Sequence, residues 1–567
     1  MTDLQTPLDR FLLEQQDLTP VERFAQRHDA DQLGDGHLGV AGPSDTVPRY
    51  RDLLPGKGPG PGEQYAFDVD LDACSGCKAC VSACHSLNGL DDGETWRSVG
   101  LLHGLDPIAP QLQTVTTACH HCVDPACLNG CPVDAYEKDP ITGIVSHLDD
   151  QCIGCQYCTL MCPYEVPVYD AGRGIVRKCD LCRDRLDVGE APACVQGCPT
   201  DAIAVTVVAT AELVDQARAA TASVGSRLVP TAPDSSITVP STRYRSARPL
   251  AASMVAGDQY SLQPAHGHTP LAVMLVLTQL AVGTAVLALV LRDQLTVGRS
   301  WSVAVTVLVG MVALGASVGH LGRPLYAFRA VLGLGHSWLS REIVAFGAFA
   351  GLAGLDAAAT AAGTSVPGWL VPTLSVSVSV LGVVGVACSV LIYAVTRRAW
   401  WRASRTGVVF SASALLTGAA TMLAVSVVSA AATDSLGDTV GLVRVLVGVV
   451  VVASVVKLAV ELSVLRRRHL PDPSRPLTPA AMELHRSARL LSDELAPQFT
   501  RRVMGGAIGG VILPLIVLAT VSSAAPPIPA AVLLALTSLT LVVVAELGER
   551  RLFFLAMAGP RMPGVVR

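Results

Sequence analysis

Charge is scarce in this sequence. Only 16% of its 567 residues are Asp, Glu, Lys or Arg, whereas soluble domains usually carry about 25%. A wholly soluble protein is therefore excluded. Aromatic residues are scarcer still at 5%, and the net charge of −5 supplies no basic footprint for nucleic acid. Cysteine is missing from most of the chain: sixteen of the seventeen lie between Cys74 and Cys198, and only Cys388 lies elsewhere. Residues 1–62 lack an apolar h-region, a twin-arginine pair and a small-residue cleavage site, so no export signal is expected there. What is abundant is apolar: half the residues are hydrophobic, and mean hydropathy is +0.45. A uniform greasy protein does not fit, because a cysteine-dense module precedes the apolar part.

The chain divides by composition. Residues 1–62 form a polar arm ending in PGKGPGPGE, with short amphipathic stretches near Phe11–Leu18 and Pro20–Arg27. Residues 63–222 hold the cysteines, followed by an apolar run at Ala202–Val208 and a helical pattern at Ala211–Ala222. Residues 223–268 turn to Ser, Thr, Pro and Ala and read as a linker containing an extended ITVPSTRYR segment. From 269 to 567 come eight apolar runs, at about 270–291, 301–320, 342–363, 369–396, 408–432, 439–465, 503–523 and 527–548. Each approaches the ~20 residues that a bilayer core of ~30 Å requires.

The cysteines form four groups: Cys74-x2-Cys77-x2-Cys80-x3-Cys84, Cys119-x2-Cys122-x4-Cys127-x3-Cys131, Cys152-x2-Cys155-x2-Cys158-x3-Cys162 and Cys179-x2-Cys182-x11-Cys194-x3-Cys198. The last three end in Cys-Pro, and the first and third have the compact run used for iron–sulfur clusters. Three closely spaced thiolates wrap one cluster, and the fourth, displaced along a helix, reaches its neighbour. Sixteen thiolates at four per cluster predict four [4Fe–4S] clusters. Zinc also uses CxxC pairs, but four tandem quartets with trailing Cys-Pro are foreign to zinc sites. The spacing suits metal better than disulfides.

On CSGCKACVSAC, CHHCVDPACLNGCPVDA, CIGCQYCTLMCPYEVPVY and KCDLCRDRLDVGEAPACVQGCPTDAI, residues 65–205 resemble the four-cluster iron–sulfur subunit of dimethyl sulfoxide reductase-type molybdopterin oxidoreductases. The resemblance implies that the outer groups pair and the inner groups pair. One cluster would then use Cys74, Cys77, Cys80 and Cys198, and its partner Cys179, Cys182, Cys194 and Cys84. The inner pair would use Cys119, Cys122, Cys127 and Cys162, with Cys152, Cys155, Cys158 and Cys131. His85 stands where the other groups have Pro, which leaves ligation intact. Lys78 and Lys178 adjoin ligands, as tuning charges or as ordinary solvated lysines.

A b-type haem needs histidines deep in the bilayer as axial ligands. Of thirteen histidines only His320 touches an apolar run, at its end, so no haem is expected. His320 lies in GHLGRPLYAF, and Glu342 follows in GHSWLSREI, one loop later. This pattern is similar to the haem-free eight-helix anchor subunit of the same reductases, where the matching His and Glu are implicated in binding menaquinol. The resemblance covers about 269–548 and implies a menaquinone or ubiquinone site at His320 and Glu342, with Arg323, Ser340 and Arg341 as weaker lining residues. An imidazole beside a carboxylate suits a carrier that exchanges protons with its electrons. Asp356, Lys457 and Glu461 are charges inside apolar runs; Lys457 and Glu461, spaced i,i+4, are expected to pair with each other.

Arginine distribution orients the helices. Nineteen arginines fall after the even-numbered spans, the side of the cysteine module, whereas the opposite loops carry Arg292 and Arg299. By the positive-inside rule the cysteine module is cytoplasmic, on a bacterial inner membrane. The fold expected is an α+β double bacterial-ferredoxin-type iron–sulfur domain followed by an all-α eight-transmembrane-helix bundle. The function expected is electron transfer between the quinone pool and a separate molybdopterin-containing catalytic subunit. The cytoplasmic orientation also suits a similar role in a sulfite dehydrogenase. A ferredoxin-coupled ion transporter and a non-redox scaffold are weaker readings. Cys388, mid-helix, reads as a small hydrophobe.

Overall fold

The computed structural model describes residues 50–104, 111–219, 227–259, 262–295, 298–433, 435–469, 478–523 and 527–564. The two amphipathic stretches in the arm lie outside them. Among the described residues there are ten strands: β1 (Glu63–Asp70), β2 (Ser98–His103), β3 (Leu112–Thr117), β4 (Tyr136–Lys138), β5 (Val145–His147), β6 (Val168–Asp170), β7 (Ile175–Arg177), β8 (Ile203–Ala209), β9 (Arg243–Arg245) and β10 (Val255–Ala256). β1 runs antiparallel to β8 from Glu63↔Ala209 to Val69↔Ile203, which joins the beginning of the cysteine region to its end. Val69, Phe67 and Ala66 on β1, with Ile203 and Val205 on β8, are buried. β4–β5 and β6–β7 are short hairpins that follow the second and third cysteine groups.

The segment expected to be a linker is part of this domain, which corrects the boundary at 223–268. β9 pairs parallel to β1, and β10 pairs antiparallel to β2. Its polar composition misled because edge strands need few apolar residues, and here hydroxyls bind the domain instead. Ser241 Oγ donates to the His120 carbonyl at 2.7 Å, and Tyr244 Oη donates to that of Thr116 at 3.0 Å.

Eight helices long and apolar enough to span a bilayer follow: Thr269–Val290, Arg299–Val318, Trp338–Ser365, Leu370–Ala394, Ala403–Ala432, Leu436–Arg467, Ala496–Val521 and Ile528–Leu555. The fifth and seventh begin earlier than the apolar runs because arginine-bearing first turns are helical too. The seventh contains a π segment, Ile508–Ile512, just before Pro514, whose ring removes a helical donor. Leu308, Met311, Val312 and Val380 are exposed outward, as a lipid-facing surface requires.

Lys457 and Glu461 do not pair with each other, contrary to expectation. Lys457 is bonded to Glu546 and, at 3.2 Å, to Glu549, while Glu461 accepts from Arg502 at 2.9 Å. Arg502 also reaches Glu546 at 2.9 Å, and Arg550 Nη2 donates to Gln279 at 3.0 Å and Ser413 at 3.1 Å. Three cations and three carboxylates thus neutralise one another inside the bundle. After the eighth helix the chain returns to the cysteine domain, where Met562 is buried in the same core as Trp96, Val99 and Leu102.

Candidate functional site

The first and third cysteine groups share a local geometry. Gly76 and Gly154 take φ of 73° and 68°, and Lys78 and Gln156 follow at 63° and 59°. Such left-handed turns suit glycine, and they curl each CxxC loop before a helix begins. The helices Ala79–Asn88 and Tyr157–Met161 then carry the third cysteine of each group.

Distant cysteines are brought together in four quartets. Cys74, Cys77, Cys80 and Cys198 line one small cavity, and Cys119, Cys122, Cys127 and Cys162 line another. Cys84, Cys179, Cys182 and Cys194 lie within electrostatic reach of one another, as do Cys131, Cys152, Cys155 and Cys158. Among the described residues no group of three His, Cys, Asp or Glu side chains is arranged to hold a single metal ion. Thiols spread around a cavity fit a polyatomic cluster better than one zinc ion. Backbone N–H groups already point at sulfur: those of Ala135 and Ala202 donate to Cys131 and Cys198, each at 3.3 Å.

Burial pushes the Cys84 thiol up to about 12 and the Cys131 and Cys162 thiols up to about 11. Thiolates there require a compensating positive charge, which coordinated iron supplies. Two buried cations stand at the seams between quartets. Arg97 lies near Cys194, Cys80, Cys179 and Cys84, with its guanidinium 4.5 Å over the Phe67 ring. Lys178 lies near Cys119, Cys127 and Cys179, donating to the Cys179 carbonyl at 2.9 Å and also bonded to that of Val145. Lys78, by contrast, is exposed.

The quartet of Cys131, Cys152, Cys155 and Cys158 faces the membrane helices. Beneath it lies the loop between helices two and three, whose backbone and side-chain donors both dock onto backbone carbonyls of the domain. Arg323 N donates to the Ile153 carbonyl at 3.0 Å, and Gly333 N to that of Pro132 at 3.0 Å. Gly322 packs so closely on Gly154 and Gly174 that a Cβ there would collide with the Gly174 carbonyl. Ser337 Oγ donates to the Gly130 carbonyl at 2.7 Å and His336 Nε2 lies 2.9 Å from that of Cys131.

His320 is half-buried in this loop, against the backbone of Cys155, with its ring 5.5 Å from that of His268. Burial and His266 hold its imidazole below the ordinary value. Glu342 is buried at 2% exposure and bonded to Ser389 Oγ on the fourth helix. Tyr157, two residues beyond Cys155, lies within electrostatic reach of both Cys155 and Glu342, and its hydroxyl donates to the Ile392 carbonyl at 2.8 Å. His320 thus meets the backbone of Cys155 directly, whereas Glu342 reaches the helix Tyr157–Met161 through the Tyr157 side chain, and no bond joins His320 to Glu342 among the described residues. Of the three weaker candidates two make docking contacts and the third braces the loop itself. Arg323 donates to the Asp149 carbonyl at 2.7 Å and Ser340 to that of Pro132 at 3.4 Å. Arg341 donates to the carbonyls of Leu334 at 3.1 Å and Gly335 at 2.9 Å, stacked 4.3 Å over Trp338.

Comparison with known families agrees with both halves. Residues 111–208 match a 4Fe-4S dicluster domain, and residues 265–555 match the DMSO reductase anchor subunit (DmsC). The chain belongs to the DMSO reductase anchor subunit family. Its iron–sulfur half is 37% identical over 150 residues to the B subunit of the anaerobic dimethyl sulfoxide reductase of Haemophilus influenzae, covering 25% of this chain and 73% of that subunit. It is 39% identical over 160 residues to the hydrogenase-2 operon protein HybA of Escherichia coli O157:H7, covering 24% and 49%. It is also 35% identical over 158 residues to the formate dehydrogenase-O iron-sulfur subunit of E. coli K12, covering 25% and 52%. The chain thus spans about half the length of HybA and of the formate dehydrogenase subunit.

The protein is accordingly a 4Fe–4S domain joined in one chain to a DmsC-type anchor that crosses the membrane. Sequence reasoning missed Arg97, which belongs to no cysteine motif, and Tyr157, one of the variable positions between Cys155 and Cys158. Tyr136 was missed too; buried, it touches the electrostatic field of Cys158, Cys127 and Cys131, between two quartets. Each is a lone polar or aromatic residue, Arg97 just before β2 and the two tyrosines in a short strand and a short helix, so only the fold reveals its neighbours.

Proposed function

We propose that this chain is the electron-transfer and membrane-anchor subunit of a molybdopterin oxidoreductase complex, linking a quinone to a catalytic subunit through four [4Fe–4S] clusters. The four cysteine quartets would hold the clusters, which store and pass single electrons. The quartets form a series. Cys80 lies near Cys194, Cys179 near Cys119, and Tyr136 near both Cys127 and Cys158. The first quartet includes the exposed Cys77, a fitting contact for a catalytic partner. The last faces the membrane.

The observation that carries the quinone reading is that His320 packs against the backbone of Cys155, in the cysteine group nearest the anchor, while Glu342 lies near Tyr157 two residues on. A quinol releases two protons with its two electrons, so its site needs groups that accept protons within reach of the wire. The imidazole of His320 and the carboxylate of Glu342 are those groups, and Arg323, Ser340 and Arg341 hold the loop that presents them. The arginine distribution favours a cytoplasmic iron–sulfur domain. That orientation favours, as a second reading, a partner that oxidises sulfite and delivers electrons to quinone.

The test uses the complex purified with its catalytic subunit. Glu342→Gln and His320→Ala should slow cluster reduction by a quinol analogue about 100-fold, the usual scale of losing a proton-transfer group. Reduction by dithionite should be unchanged. Quinol-driven rates equal to wild type in both variants refute the assignment. Assaying the copurified subunit with sulfite and with S- and N-oxides decides between the two partners.

A further inference from the structure

A cavity of about 320 Å³ lies where the iron–sulfur domain, the 262–268 segment and the cluster-side ends of the membrane helices meet. It opens beside Thr159 and Leu160 of the domain, and Trp401 and Phe554 line it from helix ends. Three arginines from separate segments also line it: Arg398, Arg486 and Arg561, together with His266 and His268.

The hydrogen bonding around this cavity is incomplete in a consistent way. The Nε groups of Arg398, Arg486 and Arg561 and Nδ1 of His268 are shielded from solvent and have no partner. Arg398 and His268 are each only 6% exposed. Leaving the N–H groups of buried cations unpaired is costly, so three guanidinium groups around one space call for an acceptor.

The nearby carboxylates do not supply it. Glu483 accepts from the backbone of Ala399 at 3.0 Å and Trp400 at 2.9 Å. Asp258 is bonded to Arg561. Glu165 lines the cavity but is exposed toward solvent. Among the described residues, Arg398 and Arg486 thus remain without a bonded counter-charge.

We propose that this cavity binds a phosphate group. Guanidinium groups match phosphate oxygens in geometry and charge, and phosphate oxygens can accept from the unpartnered Nε groups, which the neighbouring carboxylates do not bond. The ends of membrane-spanning helices lie at the headgroup level of a bilayer, so the phosphate can belong to an anionic lipid or be free. Bound there, it ties the domain to the anchor: Arg398 also donates to the carbonyl of Cys162 at 3.4 Å.

The experiment takes the full chain, iron-loaded and delipidated in detergent. Its melting temperature is followed against short-chain phosphatidylglycerol, phosphatidylcholine and inorganic phosphate. Phosphatidylglycerol should raise it at lower concentration than phosphatidylcholine. Inorganic phosphate acting as well identifies a free-phosphate site; phosphatidylglycerol acting alone identifies a lipid site. Arg486→Gln should raise the concentration needed about tenfold, the scale of one charge-assisted hydrogen bond. Arg486→Lys should lose less, and unchanged iron content certifies that both variants are folded. No response to either phosphate, an equal response to phosphatidylcholine, or an unshifted Arg486→Gln overturns the proposal.

Discussion

Arg97 and Lys178 are the single residues with the greatest leverage on the wire. Each is a buried cation at a seam between two quartets. A positive charge favours the reduced, more negative cluster. At ~7 Å and an effective dielectric of ~20, one charge is worth ~2.4 kcal/mol, or about 100 mV for one electron. Arg97→Gln is therefore expected to lower the potential of an outer cluster by about 100 mV, read by redox titration of its paramagnetic signal. At the same scale, Lys457→Met leaves Glu546 and Glu549 short of a counter-charge inside the bundle. Breaking a buried network in this way costs about 3–5 kcal/mol, so thermal unfolding should shift clearly downward. Equal melting of variant and wild type would show that the network carries no stability.

Among elements, the loop from His320 to Arg341 does most to join the two halves. Its sequence showed a histidine and a glutamate one loop apart, and those were legible because polar residues stand out beside apolar runs. Its docking was not legible, since the acceptors are backbone carbonyls of the cysteine domain, and these and the close-packed glycines leave no pattern. Arg323, Ser340 and Arg341 were read as lining residues, yet the bonds they make are to carbonyls that fasten the loop. The ionic network was hidden for another reason: Arg502, Glu546, Glu549 and Arg550 sit near helix ends, where charges look interfacial in one dimension. Gly322→Ala should push the loop away from Gly174. Quinol-driven cluster reduction should then slow while iron content holds, whereas an unchanged rate would show that this close approach is dispensable.

For the whole molecule, eight spans place the even-numbered loops and the segment after helix eight beside the iron–sulfur domain. The loop between helices four and five touches it through Arg397 and Ser236 at 3.3 Å. Spans and parity were legible because hydropathy and arginine counts are one-dimensional quantities. With a cytoplasmic iron–sulfur domain, alkaline phosphatase fused after Gln294 should be active, and fused after Pro560 inactive; the reverse pattern overturns the orientation.

The return of the chain after helix eight carries a consequence for synthesis. Met562 fills the core around Trp96, Val99 and Leu102, and Gly100 lies against Pro563. The iron–sulfur domain, translated before the helices, is thus completed by residues made after helix eight. A chain stalled during insertion keeps that core open, so maturation of the domain registers that every span has been translated.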